Sequence, residues 1–161
     1  EPRDAVAYGT EALGVMRGDK GHAAGNELYA QTTARDLGLG RMASDKKDYI
    51  GAVLARRPEL NRVDGLALMG FRPVDRSKAL TSGAHFIRKG AAHTTENDEG
   101  YMTSVAYSPT LGHSIGLGFI KRGGERTGET VQAVKLLGDQ IVDVEIVSPH
   151  FYDAEGVRLR D

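Results

Sequence analysis

The spacing of apolar residues changes near residue 65, and this change divides the chain into two parts. Before that point, apolar residues recur at helical spacing in residues 4–17 and 46–57, with a glycine-punctuated stretch between them. After it, apolar and polar residues alternate, as they do in half-buried strands. The pattern predicts two helices with an irregular connection, followed by a region of β-structure.

Both predicted helices have defined ends and an apolar face. The first begins at an N-cap formed by Asp4 or Thr10 and ends at a glycine, either Gly18 or Gly21. The second ends before Pro58, because proline cannot continue a helix. Their apolar faces consist of Val6, Leu13 and Met16 in the first helix and Tyr49, Ile50, Val53 and Leu54 in the second.

Six short strands are predicted in the second part of the chain, at residues 66–74, 84–89, 100–108, 114–121, 130–137 and 140–147. The last one alternates most clearly, with Val142, Val144 and Ile146 on one side. Gly138 and Asp139 form a two-residue hairpin turn before it. Evenly spaced short strands are typical of a small antiparallel barrel. We therefore predict an α+β fold, in which a short helical segment precedes a six-stranded antiparallel β-barrel.

The two parts are predicted to be separate domains, residues 1–62 and residues 63–161. The apolar faces of the two helices have no partner within the first part. The chain also begins at Glu1 rather than at methionine. We therefore expect residues 1–62 to be the last portion of a truncated domain that precedes a complete barrel.

Composition excludes several classes of protein. The chain has 161 residues, with 21 Lys and Arg against 22 Asp and Glu, and a net charge of −1. A nearly neutral chain is a poor candidate for non-specific nucleic-acid binding. It has no cysteine, which excludes disulfides, thiolate zinc sites and a cysteine nucleophile. No apolar run approaches the ~20 residues of a membrane span, so we expect no membrane partner. The absence of cysteine and of a visible signal peptide leads us to expect a cytoplasmic location.

The sequence contains few motifs that are typical of catalysis, metal binding or nucleotide binding. The five histidines show no metal-ligand spacing, and no nucleophile elbow or phosphate-binding loop occurs, so we predict neither a metal site nor a catalytic residue. Residues 38–43 match the glycine pattern of a dinucleotide-binding turn, but no apolar strand precedes them, which favours a simple connector. Arg17 follows an apolar segment. Its guanidinium can bind a carboxylate or a polar heterocycle, or it can simply pair with Asp19.

Three groups of residues together resemble a known family. They are residues 8–22 (YGTEALGVMRGDKGH); residues 31–42 (QTTARDLGLGRM) with 46–51 (KKDYIG); and residues 100–104 (GYMTS) with 107–111 (YSPTL) and 115–118 (IGLG). In this order they resemble the C-terminal part of the aminomethyltransferase, or glycine-cleavage T-protein, family. The first group and the tail at residues 151–159 are most similar to the alpha subunits of heterotetrameric sarcosine oxidases.

The resemblance implies a folate-dependent one-carbon enzyme. Residues 1–62 would be the end of the folate-binding aminomethyltransferase-like domain, and residues 63–161 its C-terminal β-barrel domain. In such an oxidase, sarcosine is demethylated oxidatively and the one-carbon unit passes to tetrahydrofolate. Flavin and NAD would be bound in other parts of the complex. The implied partners are the upstream part of the same subunit and the other oxidase subunits.

The resemblance also maps the family's arginine at the folate cavity onto Arg17, which becomes the one predicted cofactor-binding residue. Asp19 stands where the family motif usually has glutamate, which leaves the role of this acidic position open. The family's key carboxylate has no counterpart in this chain. We therefore expect the isolated chain to be inactive.

Two alternatives stay open at this point. The chain can be the C-terminal part of an aminomethyltransferase, or a non-catalytic barrel module for ligand or subunit binding. A fragment should leave the apolar faces of its first 60 residues exposed, whereas a free-standing module should bury them.

Overall fold

Alternating apolar residues of the second part of the chain meet inside a closed antiparallel β-barrel. The computed structural model describes residues 6–44 and 46–160. The strands are β1 (Leu66–Pro73), β2 (His85–Arg88), β3 (Asp98–Ser108), β4 (His113–Lys121), β5 (Thr130–Lys135) and β6 (Gln140–Val147). They follow the order β1-β4-β3-β2-β5-β6, and β6 pairs with β1 to close the barrel. The predicted α+β fold with a six-stranded barrel is confirmed.

The barrel core consists of the inward-pointing residues of this alternation. The rings of Phe71 and Phe86 stack with their centroids 3.9 Å apart. In β6, the alternating residues Val142, Val144 and Ile146 are all buried, as the sequence pattern predicts. Burial of one such side chain stabilises a fold by about 1.5–3 kcal/mol, so this core supplies the main stabilisation of the molecule.

Close approach of β3 and β4 depends on glycine at position 100. Gly100 pairs with Ile120 and has a φ of +151°, a conformation that other residues rarely adopt. A side chain at this position would overlap the carbonyl oxygen of Phe119. The glycine thus allows the two strands to pair where β3 begins.

The turn between β5 and β6 lies where it was predicted, but it is longer. β5 ends at Lys135, which pairs with Gln140, so four residues connect the strands rather than two. Gly138 and Asp139 both have positive φ, at +118° and +48°. The strand ends before the predicted residue 137 because Leu136 and Leu137 are exposed and do not extend the ladder.

The first helix is found, with different bounds. α1 (Thr10–Lys20) follows Gly9 as its N-cap, whereas the predicted cap Asp4 lies outside the described residues. Helix α1 continues through Gly18 and ends at Gly21, in the left-handed conformation with φ +74°. Its predicted apolar face, which comprises Val6, Leu13 and Met16, is exposed. The other side of α1, at Gly18 and Asp19, faces the barrel instead.

The second predicted helix is wrong for most of its length. Only α2 (Ala52–Ala55) is helical, after Gly51 with φ +92°. The predicted apolar stripe is exposed, and it comprises Tyr49, Ile50, Val53 and Leu54. Short helices are marginal unless an apolar face packs against a partner, and the described residues provide none for this stripe. Helical spacing alone therefore overestimated this element.

Helix α1 rests on the outside of the barrel and on the chain after β6. Gly18 has room for no more than a Cβ atom before the side chain of Ile115 in β4, at 3.6 Å. The backbone oxygen of Asp19 accepts hydrogen bonds from the N–H groups of Phe151 and Tyr152 at 3.0 and 2.9 Å. Along the described chain, no helix is long and apolar enough to cross a bilayer.

Candidate functional site

A groove separates α1 from the adjoining strands β3 and β4. Its volume is about 870 Å³, within the range of ~300–1,000 Å³ that is usual for ligand sites. Its apolar walls include Val15 on the helix and Val105 and Ile115 on the strands. Polar side chains of Arg17 and Ser104 line the same space. Apolar walls with a few polar groups are typical of a pocket for an organic ligand.

Arg17 projects from α1 towards the barrel and is anchored by three acceptors. Its Nη1 donates to the carbonyl oxygen of His22 at 3.0 Å and to the Glu27 carboxylate at 3.2 Å. Its Nη2 donates to the Ser104 hydroxyl at 2.7 Å. The side chain retains 26% of its exposure. Arg17 is therefore held in one place while part of it still reaches the groove.

A guanidinium has five N–H donors. The three hydrogen bonds to described residues use both N–H groups of Nη1 and one of Nη2. The donors left are Nε and the second N–H of Nη2. Two guanidinium donors can hold a carboxylate or the edge of a polar ring. The site can thus bind an anionic or polar group at the Arg17 end of the groove.

Glu27 lies behind Arg17 and is completely buried, with a relative exposure of 0%. A 3₁₀ turn at Gly25–Glu27 directs its side chain into the space between the N-terminal segment and β3. Its carboxylate accepts hydrogen bonds from the Thr103 and Ser104 hydroxyls at 2.5 and 2.6 Å. It also accepts one from the backbone N–H of Ala24 at 3.0 Å. With the Arg17 pair, this buried charge is fully hydrogen-bonded.

An irregularity in β3 brings the two hydroxyl groups to Glu27. The register of β3 against β4 shifts between Met102 and Ser104, as in a β-bulge. Bulges redirect side chains and are frequent next to functional sites. The carbonyl oxygen of Thr103 accepts hydrogen bonds from Asn26 and from Ser82, at 3.3 and 2.8 Å. The bulge is therefore one of the places where the N-terminal segment is joined to the barrel.

The predicted pairing of Arg17 with Asp19 is not formed. Arg17 forms its ion pair with Glu27, ten residues further along the chain. Asp19 is 7% exposed, and its Oδ1 has no hydrogen-bond partner within the described part of the molecule. Both residues belong to α1, but only Arg17 is among the residues that line the groove.

A second polar link crosses between the two parts of the molecule near the same strand. The hydroxyl groups of Tyr29 and Tyr101 are 2.6 Å apart. Partial burial, followed by the hydrogen bond to Tyr29, raises the pKa of Tyr101 well above its usual range. This hydrogen bond therefore links the N-terminal segment to β3.

Sequence reasoning identified Arg17 but missed its partners. Glu27, Thr103 and Ser104 are separated from each other by up to 77 positions, so no spacing pattern connects them. The one local signal is that Ser104 ends a stretch already singled out by its resemblance. No cluster of three or more metal-ligating side chains occurs in residues 6–44 and 46–160.

Comparison with protein families matches residues 67–153 to the "Glycine cleavage T-protein C-terminal barrel domain". The match covers β1 to β6 and reaches the tail that contacts α1. It covers more than half of the chain.

Curated relatives include the sarcosine oxidase subunit alpha of Rhizobium meliloti (strain 1021). The chain is 40% identical to it over 155 residues, which are 96% of this chain and 16% of that subunit. An aminomethyltransferase from Saccharopolyspora erythraea is 33% identical over 134 residues, 80% of this chain and 33% of that protein. The chain thus spans about one sixth of the length of the sarcosine oxidase subunits it matches.

A solved structure has the same fold. The crystal structure of glycine cleavage system aminomethyltransferase T from Bartonella henselae matches with a TM-score of 0.72. The match covers 89% of this chain and 38% of that one, at 18% sequence identity. It extends beyond the barrel, so the placement of most of the N-terminal segment is shared as well.

Proposed function

The chain belongs to the glycine cleavage T-protein C-terminal barrel domain family, and from this premise we propose that it is part of a folate-dependent one-carbon enzyme. Its curated relatives are enzymes named sarcosine oxidase subunit alpha and aminomethyltransferase. The higher identity and the nearly complete coverage of the chain favour the oxidase. The alternative is the C-terminal part of an aminomethyltransferase.

The proposed reaction is the oxidative demethylation of sarcosine with transfer of the one-carbon unit to tetrahydrofolate. Tetrahydrofolate, when bound, supplies the nucleophilic nitrogens that accept this unit. Flavin and NAD are proposed for other parts of the complex and not for this chain. The residues of this chain are proposed to contribute to binding, through Arg17, rather than to the chemical step.

The observation that carries the proposal is the pair of free donors on Arg17 at the end of a largely apolar groove. Folate combines flat, partly apolar rings with a glutamate that is anionic at neutral pH. Apolar walls at Val15 and Ile115 suit the former, and the Arg17 donors suit a carboxylate. The groove thus fits tetrahydrofolate, with Arg17 as the residue that would hold it.

The remaining walls of the cavity are proposed to come from the upstream part of the same subunit. Residues 1–62 would be the end of the folate-binding domain, and residues 63–161 the barrel domain. Large apolar side chains are exposed on the N-terminal segment, notably Met42, Ile50 and Val53. Such surface is typical of an interface, so we place the upstream part against it and the other oxidase subunits beyond.

The test is the binding of 5-formyltetrahydrofolate, an air-stable folate, to the complete product of the encoding gene. Calorimetric titration should show one site per chain. Arg17→Ala should weaken binding about tenfold to a hundredfold, because charge-assisted hydrogen bonds are lost. The isolated 161-residue chain should neither oxidise sarcosine nor turn over tetrahydrofolate.

A matched control is Arg72→Ala, since Arg72 pairs with Glu145 on the barrel, away from the groove. This variant should bind 5-formyltetrahydrofolate as the unmodified protein does. Arg17→Ala should weaken the binding of tetrahydropteroate less than that of 5-formyltetrahydrofolate, because tetrahydropteroate lacks the glutamate. Absence of folate binding in the complete protein would favour a non-catalytic barrel module, and turnover by the isolated chain would contradict the proposal.

A further inference from the structure

We infer that Glu27 is a positioning residue, which fixes the guanidinium of Arg17 so that its two remaining donors face the groove. This inference rests on the proposed folate contact of Arg17. The groove residues alone do not explain why a carboxylate is buried completely behind them. A charge in such a position must be compensated by hydrogen bonds, and Glu27 accepts four.

The geometry restricts the rotation of the Arg17 side chain from two sides. Glu27 accepts from Nη1, while Ser104 accepts from Nη2 and donates its own proton to the same Glu27 carboxylate. The three side chains therefore form a closed ring of hydrogen bonds. A planar guanidinium with two of its three nitrogens fixed has a fixed plane. Its Nε can then point in only one direction.

The ring also fixes Arg17 relative to both walls of the groove. Arg17 belongs to α1, Ser104 belongs to β3, and Glu27 lies on the connection between them. Thr103 secures the far side of the Glu27 carboxylate with a hydrogen bond of 2.5 Å. Displacement of Glu27 would therefore change the orientation of Arg17 without any direct contact between Glu27 and a ligand.

The loss of Glu27 would change both the charge next to Arg17 and the orientation of its guanidinium, and the two changes have opposite expected effects on ligand affinity. Removal of a negative charge next to Arg17 should strengthen the attraction of an anionic ligand. Loss of a fixed guanidinium should weaken binding, because the side chain must then be ordered by the ligand itself. We expect orientation to dominate, because without Glu27 the guanidinium keeps only the Ser104 hydroxyl as a side-chain acceptor, and its plane is no longer fixed from two sides.

A double-mutant cycle on 5-formyltetrahydrofolate affinity tests the inference, with the complete gene product as the protein. Glu27→Ala should weaken binding about tenfold in the unmodified background. It should have less than a twofold effect in the Arg17→Ala background, because its action passes through Arg17. Glu27→Gln keeps the shape of the side chain, and its amide oxygen can still accept from Arg17, but its NH2 group donates where the second carboxylate oxygen accepted. It should therefore restore only part of the affinity.

Ser104→Ala provides a second variant in case Glu27→Ala does not fold. It removes the acceptor of Nη2 but leaves Glu27 three of its partners, so the barrel should remain intact. It should weaken binding about threefold to tenfold, again only when Arg17 is present. Glu145→Gln, at an ion pair on the outside of the barrel, is the matched control and should have no effect.

The outcomes separate this inference from the proposed function. If Arg17→Ala leaves affinity unchanged, or if the protein does not bind 5-formyltetrahydrofolate, the proposed contact is wrong and the inference fails with it. If Arg17→Ala weakens binding but the Glu27 and Ser104 variants weaken it equally in both backgrounds, Glu27 is merely structural. Tighter binding by Glu27→Ala would show that charge dominates, which also overturns the inference.

Discussion

In the barrel, apolar side chains are buried, whereas in residues 6–63 most of the large ones are exposed. Of nineteen buried apolar residues in the described chain, eighteen lie from Leu68 to Ile146, and the other is Ala52. Of twenty large exposed hydrophobic residues, fourteen precede residue 64. The barrel therefore has its own core, and the N-terminal segment has almost none.

The N-terminal segment is attached by polar contacts and by a small apolar cluster, in which Ala23 and Leu37 pack against buried residues of β1 and β4. Glu27 joins it to β3 through Thr103 and Ser104, and the hydroxyl groups of Tyr29 and Tyr101 form a second link. Such bonds are specific in direction and contribute modestly, about 1 kcal/mol for the neutral tyrosine pair and about 1.5–3 kcal/mol for each bond to the Glu27 carboxylate. The comparison indicates that the barrel determines stability, while the segment forms one wall of the groove and exposes apolar side chains.

The sharpest test of this comparison is a matched pair of isoleucine substitutions. Ile120 is completely buried in the barrel core, and Ile50 is fully exposed in the N-terminal segment. Ile120→Ala should lower the free energy of unfolding by about 2–5 kcal/mol, because it leaves a cavity. Ile50→Ala should change it by less than about 0.5 kcal/mol. Urea denaturation of the 161-residue chain measures both values.

Similar losses from the two substitutions would contradict the comparison, since they would mean that the N-terminal segment is part of the cooperative core. Hydrogen exchange gives an independent measurement. Amides of β1 and β4 should exchange only through global unfolding, and those around α2 through local opening at much lower cost.

Acid should destabilise the barrel through its own ion pairs. The hydrogen bond from Arg126 lowers the pKa of Glu129, and the one from Lys89 lowers the pKa of Asp143. A carboxyl with a lowered pKa in the folded state stabilises the fold above its unfolded pKa, about 4.3 for Glu and 3.9 for Asp. The contribution of these two pairs to stability should therefore be constant above about pH 5 and fall as the pH drops below about 4.3.

Two carboxyl variants test which ion pair causes the loss of stability at low pH. Glu129→Gln should flatten the loss of stability between neutral pH and about pH 3.5, because one titrating group of the barrel is removed. Asp64→Asn is the comparison variant, in the exposed pair with Arg62, where the same kind of hydrogen bond lowers the pKa of Asp64 but solvent screens the pair. It should flatten the pH profile less than Glu129→Gln does. Urea midpoints across the pH range measure both, and equal flattening by the two variants would contradict this assignment.

The sequence predicts the barrel well because burial alternates along each strand. All six predicted strands are present, and the last, at residues 140–147, has the same bounds in the structure. The helix predicted at residues 46–57 failed for a physical reason: its apolar residues face solvent in this chain. Helical spacing of apolar residues indicates an apolar face, but it does not indicate whether the same chain packs against that face.

Only one residue of the candidate site could be predicted from the sequence, and the reason differs from the one that applies to the second helix. Arg17 was predicted from the resemblance to a family motif; it lines the groove, and its contact with folate stays a prediction. Its partners Glu27 and Ser104 depend on a 3₁₀ turn and on a bulge in β3, and neither feature has a strong local sequence signal. Side chains brought together across 77 positions are a result of the fold, and they become visible only once the strands are in place.

Substitutions in the exposed apolar face of the N-terminal segment should have the smallest effect on the free energy of unfolding. They should have a clear effect on dye binding and self-association. A double substitution of Ile50→Ser and Val53→Ser should leave the free energy of unfolding of the 161-residue chain within about 0.5 kcal/mol. It should reduce the binding of a hydrophobic dye and any self-association, because both residues are exposed. Fluorescence titration and sedimentation measure these changes.

Leu136→Ser with Leu137→Ser is the matched control, since these residues are exposed at the turn between β5 and β6. It should reduce dye binding less, because the turn is isolated from the N-terminal segment. In the complete gene product the Ile50 and Val53 variant should instead lower stability, because there the face is covered by the proposed upstream part and serines would be buried against it. If the double substitution is neutral in both proteins, the face is not an interface, and the exposed apolar residues of the segment need another explanation.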